Sequence, residues 1–211
     1  MNAGSAEVIG LEFEFIYQPP VDGLSFNGGY TWLPRARYTE FDQITNSGAD
    51  VAGAGNCKPI DTDGVPGADD CLVTFAGNRL ERAPKHAFVL GASYTQPFFN
   101  TGINWFVEGD VQYQGEMFDD EDNLTRWDSW HELDLRAGLQ AERWAFLVFV
   151  DNVTGNDTFR TGGSGPNFGQ IQNIVGIPAL GLQNTITGVL QPNFAPLPPK
   201  RQVGVRGSVN F

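Results

Sequence analysis

Ile103-Asn-Trp-Phe-Val-Glu-Gly-Asp-Val-Gln-Tyr-Gln114 decides the fold. Ile103, Trp105, Val107, Val111 and Tyr113 alternate with Asn104, Glu108, Asp110, Gln112 and Gln114. A period of two is the signature of a strand whose two faces meet different surroundings, because successive side chains point to opposite sides. The same alternation recurs on either side of this stretch. Ile9, Leu11, Phe13, Phe15 and Tyr17 oppose Gly10, Glu12 and Glu14. Leu24, Phe26, Gly28, Tyr30 and Trp32 oppose Ser25, Asn27, Gly29 and Thr31. Phe88, Leu90, Ala92 and Tyr94 oppose Val89, Gly91, Ser93 and Thr95. Further along, Leu133, Leu135, Ala137 and Leu139 oppose Glu132, Asp134, Arg136 and Gln140. Trp144, Phe146, Val148 and Val150 follow, with a second face (Ala145, Leu147, Phe149) that is also apolar. The chain closes on Val203, Val205, Val209 and Phe211 against Gln202, Arg206, Ser208 and Asn210.

The connections alternate as well. Short turns lie near Gln18–Gly23, Gln96–Thr101 and Gln140–Arg143, and long polar loops near Glu40–Ala83, Glu116–Ser129 and Thr154–Pro198. Short and long connections in strict alternation are what an antiparallel up-and-down barrel produces when its two ends face different compartments. Tyr17, Tyr94, Trp105, Trp144 and Phe211 gather at the short-turn ends, all on the apolar face. That is the arrangement of an aromatic girdle at a membrane interface, where an amphipathic ring spans oil and headgroup. Core aromatics of a soluble β protein would show no preference for one end. The other faces carry Glu12, Glu14, Glu108, Asp110, Glu132, Asp134 and Arg136. Inside a small packed barrel such charges would be costly to bury unpaired, so they point to a wide, wet lumen. The expected fold is all-β: about seven strands of a transmembrane barrel segment, with short periplasmic turns and long extracellular loops.

Bulk properties are compatible with this. The 211 residues carry a net charge of -12, which argues against nucleic acid, since phosphates demand Lys and Arg. No apolar run reaches the roughly 18 residues of a membrane-spanning helix. A mean hydropathy of -0.24 is near neutral, as expected when only alternate residues meet lipid. The start, Met1-Asn-Ala-Gly-Ser-Ala-Glu-Val-Ile-Gly10, lacks the basic and apolar regions of a secretory leader. An odd strand number would leave two open edges, which lipid cannot satisfy. With the first strand under way by Ile9, the expectation is a piece of a longer barrel, with a plug and further strands encoded upstream of Met1.

The residues also resemble a known family. Asn2-Ala-Gly-Ser-Ala6 followed by Ile9-Gly-Leu-Glu-Phe-Glu14 resembles a strand found well inside the barrels of TonB-dependent receptors. Asp22-Gly-Leu-Ser-Phe-Asn-Gly-Gly-Tyr30 is similar to their next strand, and Arg82-Ala-Pro-Lys85 to the return after a long loop. Phe118-Asp-Asp-Glu-Asp-Asn123, Val150-Asp-Asn-Val-Thr-Gly155 and the ending Pro199–Phe211 match family habits too. The resemblance covers nearly all of residues 1–211. It implies the C-terminal part of a 22-stranded barrel closed by an N-terminal plug, importing a scarce ligand (a siderophore, a vitamin or an oligosaccharide) with energy delivered by TonB. On that basis the chain is a receptor or transporter portion and not an enzyme, and it needs no cofactor and no metal. It sits in the outer membrane of a Gram-negative bacterium. Its partners are outer-membrane lipid, the imported ligand and the barrel assembly machinery, with TonB engaged only through a plug absent from this chain. Val203, Val205, Val209 and Phe211 resemble the C-terminal signal read by that assembly machinery. Two alternatives are a small self-contained outer-membrane barrel or pore, with an eighth strand not yet recognised, and a secreted β-sandwich binding module.

No catalytic constellation stands out. Asp61-Thr-Asp-Gly64 and Asp119-Asp-Glu-Asp-Asn123 carry oxygen ligands a calcium ion could use, but lack the full calcium-loop spacing. His86 and His131 stand far apart, as interfacial side chains near strand ends. Trp127 and Trp130 flank a long loop, suited either to stacking on a ligand or to anchoring at the membrane interface. Cys57 and Cys71 are the only cysteines and lie in a polar loop rich in Gly and Asp, which suggests a disulfide and an oxidising compartment. Closing a loop of about 15 residues should contribute roughly 3 kcal/mol by chain entropy, acting on the loop and not on the barrel wall. Mass spectrometry of outer-membrane material without reductant should find residues 57 and 71 joined; two alkylatable thiols would refute the bond.

Overall fold

The computed structural model describes residues 4–45, 58–60, 70–164 and 193–210. Its strands are β1 (Ser5–Tyr17), β2 (Leu24–Glu40), β3 (Asp42–Thr45), β4 (Lys58–Ile60), β5 (Asp70–Thr74), β6 (His86–Pro97) and β7 (Asn104–Gln114), followed by β8 (Met117–Phe118), β9 (Arg126–Trp127), β10 (Trp130–Gln140), β11 (Trp144–Asp151), β12 (Gly163–Ser164), β13 (Asn193–Phe194) and β14 (Gln202–Val209). The seven long strands form one sheet in the order β1-β2-β6-β7-β10-β11-β14, every neighbouring pair antiparallel. These are the seven strands that the alternation marks out. The sheet does not close: β1 and β14 are its edges. No helix among the described residues is long and apolar enough to cross a membrane.

Register runs unbroken from strand to strand through the middle of the sheet. Gly28 faces Leu90, Leu90 faces Val111, and Val111 faces Leu133. Val107 faces Ala137, which faces Val148, which faces Val205. Directly paired residues share a face, so these rows collect the apolar side chains on one side. Among the described residues nothing packs over that side: Leu11 is 65% exposed, Val205 66% and Val203 75%. The tightest apolar cluster among the described residues lies elsewhere, in the first long loop, where Val73 and Phe75 pack with Phe41.

Two features depart from the alternation. The second strand continues past Trp32 to Glu40. Leu11 pairs with Trp32 while Ile9 pairs with Arg35, so Leu33 and Pro34 form a bulge opposite Gly10. Proline has no N–H to give the ladder, and a bulge is one of the few places a sheet tolerates it. Past the bulge Arg35 and Arg37 lie on the apolar face, both paired with Glu7 at 3.1 Å. The long loops also contain small sheets, β3-β5-β4, β8-β9 and β12-β13, too short for alternation to reveal.

The last long connection is held at its base by Asn152, which is 1% exposed and has φ 50°. Its backbone N–H donates to Asp134 Oδ1 (2.8 Å). Its Nδ2 donates to the carbonyls of Asn156 (2.7 Å) and Pro199 (2.9 Å), and its Oδ1 accepts from Asn156 N (2.9 Å). One amide thus joins the end of β11 to the chain entering β14. Asn tolerates the left-handed region better than most residues, and no other side chain offers donor and acceptor in this shape. Asn152→Ala should cost about 2 kcal/mol, because buried carbonyls lose their donors. Urea unfolding measures this; an unchanged midpoint would show that the latch bears no load.

Candidate functional site

The polar face of the sheet forms a wall. Glu12 faces Thr31, Thr31 faces Ala87, Ala87 faces Gln114, and Gln114 faces Trp130. Here the wall is concave, with a hollow of about 400 Å³ lined by Glu12, Glu14, Thr31, Gln112, Gln114 and Trp130. Lower down, Glu108 stands opposite Arg136 and Asp110 opposite Asp134. Arg136 is also bonded diagonally to Asp110 at 3.3 Å. Asp134 is committed to the Asn152 N–H. Charges on this side therefore pair with one another or face the open side. Phe106, Leu147 and Phe149 share the same face and lie down over glycines. A Cβ on Gly204 would sit 2.5 Å from the Phe149 ring, and one on Gly138 2.9 Å from Phe106.

Above the wall, three long loops meet at Arg82. Its backbone N–H donates to the Phe118 carbonyl (2.9 Å) in the second loop. Its guanidinium reaches Asp119 (3.5 Å) in that loop and the Gly162 carbonyl (3.1 Å) in the third. Arg82 does this from φ 53°, an uncommon conformation for a non-glycine residue. Trp127 closes the junction: it is 8% exposed, donates from Nε1 to Asp119 (3.2 Å), and presses on Gly162, where a Cβ would lie 2.4 Å from the ring. Asn123, at φ 58°, grips the first loop by accepting from Arg79 N (2.8 Å) and donating to Arg79 O (2.9 Å). Asn78 Nδ2 donates to the Glu121 carbonyl (2.8 Å). From the third loop Arg160 bonds Glu132 and stacks 4.3 Å above the Trp130 ring.

The positions of the expected residues are as follows. Tyr17, Tyr94, Trp105 and Trp144 lie on the apolar face toward the short turns, with Tyr94 and Trp105 in edge contact at 5.4 Å. Val203, Val205 and Val209 lie on that face of β14. Phe211 lies outside the described residues, as do Cys57 and the Asp61–Gly64 stretch; Cys71 is on β5. His86 and His131 occupy the long-loop ends of the apolar face, opposite Trp32 and Tyr113, and His86 Nδ1 bonds Tyr30 Oη at 2.8 Å. Membrane anchoring by Trp127 and Trp130 is overturned: one is buried in the loop junction and the other faces the polar wall. A two-residue strand at the head of a loop carries too little alternation to give its faces away. The alternation also hid a second aromatic row on the apolar face, Phe13–Tyr30–Phe88–Tyr113, which needs the register to assemble. No group of three or more His, Cys, Asp or Glu among the described residues is arranged to hold a metal ion.

A family model, the TonB dependent receptor-like β-barrel, matches residues 1–153. The chain belongs to the TonB-dependent receptor β-barrel family. Among solved structures it is similar to the ferric yersiniabactin uptake receptor FyuA from Yersinia pestis (TM-score 0.61, 19% identity), covering 100% of this chain and 24% of that one. It is also similar to the siderophore receptor PiuA from Acinetobacter baumannii (TM-score 0.58, 14% identity), covering 96% of this chain and 21% of that one. The chain thus spans about a quarter of the length of these neighbours. A search of curated proteins finds no match. At these identities the solved receptors establish the fold alone, and the TonB-dependent receptor family is one of receptors and transporters.

One group at the rim titrates near neutrality. Burial raises the Asp122 pKa to about 7, helped by its hydrogen bond with Asp120 and by the charges of Asp120 and Glu121, while the Leu124 N–H opposes the shift. Two carboxyls that share a hydrogen bond need a proton between them. The folded value lies above the free value of 3.8, so the contribution of Asp122 to docking of this loop is fully present below about pH 4 and is lost as pH rises through about 7. Hydrogen exchange at residues 119–125 should therefore speed up across that window beyond its intrinsic pH dependence. Asp122→Asn, which keeps a donor toward Asp120, should abolish the excess; a variant that still shows it would exclude Asp122 as the cause.

Proposed function

We propose that residues 1–211 form the C-terminal part of the barrel of an outer-membrane receptor that imports a scarce small ligand by TonB-dependent transport. One observation carries this reading: a single continuous sheet with a bare apolar face and a polar, charged face. A soluble sheet would cover its apolar side, whereas a barrel wall leaves it to lipid. Long loops then mark the extracellular end and short turns the periplasmic end. The apolar face meets outer-membrane lipid, with Tyr17, Tyr94, Trp105, Trp144 and Phe211 as the periplasmic girdle. Tyr30, Phe88 and Tyr113 take the corresponding place on the other side. Val203, Val205, Val209 and Phe211 present the C-terminal strand to the barrel assembly machinery. TonB acts through a plug supplied outside these residues. The joined loops stand over the entrance, and a siderophore is the ligand class most in keeping with the solved neighbours. We further propose that Cys57 and Cys71 form a disulfide, as the two cysteines of one polar loop in an oxidising compartment.

Lysine substitution separates the faces. Val107→Lys and Val205→Lys should cost about 2–4 kcal/mol in membrane folding, the penalty near the bilayer midplane. Asn104→Lys and Ser208→Lys, on the opposite face, should be mild. Folding of the intact parent barrel into liposomes measures both, and equal penalties on the two faces would sink the assignment.

A further inference from the structure

We infer that the β6–β7 turn is a lipid anchor, in which Phe98 and Phe99 insert into the headgroup boundary of the bilayer leaflet at the short-turn end. Phe98 N–H donates to the Ile103 carbonyl at 2.7 Å, one step beyond the Pro97–Asn104 pair. The ladder therefore continues, and Phe98 and Ile103 lie on the side that carries Gln96 with Trp105 and Tyr94 with Val107. The apolar face does not stop at its aromatic pair but runs on to the tip. Phe99 packs edge-on against Phe98 at 5.0 Å and is 80% exposed.

The backbone is the second observation. Phe99 has φ 54°, a conformation that bulky side chains avoid and that turns normally give to Gly or Asn. The β1–β2 turn meets the same demand with Gly23 at φ 78°. Here Thr101 braces the turn by donating to the Phe98 carbonyl (2.5 Å) and accepting from Ile103 N–H (3.3 Å). A strained aromatic left 80% exposed by a braced turn, with only the Phe98 ring beside it among the described residues, gains little from packing within the chain. Residues 97–103 carry no charge, whereas the other short turns contain Asp22 and the Glu142–Arg143 pair. Uncharged, aromatic and continuous with the apolar face, this tip matches the boundary where aromatic rings are held in a bilayer.

The inference rests on the membrane reading above, and its test separates the two. In the parent receptor with Cys57→Ser and Cys71→Ser, nitroxides are placed at Phe99→Cys, Val107→Cys and Gln112→Cys. The protein is reconstituted in phosphatidylethanolamine–phosphatidylglycerol vesicles. Collision with oxygen reports lipid and collision with a nickel chelate reports water. Oxygen should dominate at 99 and 107, and nickel at 112. Nickel at 99 with oxygen at 107 would overturn the anchor and leave the membrane reading standing, as a tip that docks on a periplasmic protein would give. Nickel at 107 would bring down both. Separately, Phe99→Gly relieves the backbone, so a ring without a role predicts a higher urea midpoint in vesicles. The anchor predicts a lower one, and a rise would refute it.

Discussion

A backbone amide that faces no water must find its partner within the chain, and this one requirement orders the rest of the molecule. Seven strands meet it by pairing in sequence, each with the next long strand along the chain, except along the outer edges of β1 and β14. Because side chains alternate, a slip of one residue in any pairing would move every apolar group of that strand to the polar side. The rows from Gly28 to Leu133 and from Val107 to Val205 are the result of avoiding such slips. Where Pro34 cannot contribute an N–H, the chain spends an extra residue and returns to register at Arg35.

Wall and rim are built by different means. The wall draws its order from ladders and leaves its apolar side chains to the surroundings. Among its described residues the rim has one small apolar cluster around Val73 and Phe75 and is otherwise joined by hydrogen bonds and left-handed residues. Arg82, Asn123 and Asn152 each take a positive φ and use a polar side chain to bridge segments distant in sequence. Such junctions order loops without a deep core. They leave the loops closer to local opening than the sheet beneath them, because each rests on a few bonds rather than on buried area.

The polar wall shows how charge is held on one face of the sheet. Arg136 lies between Glu108 and Asp110, Asp134 is bound to a backbone amide, and Arg160 descends from a loop to Glu132. Glu12 and Glu14 remain beside the open hollow. These differences in commitment cannot be read from the alternation, which treats every polar residue on the face alike.

The sequence by itself determined the seven long strands, their order and which residues of each alternating stretch share a face, because period-two patterning and turn length are local properties written residue by residue. Val107 and Glu108 announce opposite surroundings without any knowledge of their neighbours. The tertiary structure alone decided what depends on register and on contacts between distant segments. It carried β2 through a bulge to Glu40, drew Phe13, Tyr30, Phe88 and Tyr113 into one row, and sent Trp130 to the polar wall while burying Trp127. It also made Arg82 the meeting point of three loops. These features join residues tens of positions apart through single hydrogen bonds and ring contacts, and such pairings leave no period in the chain.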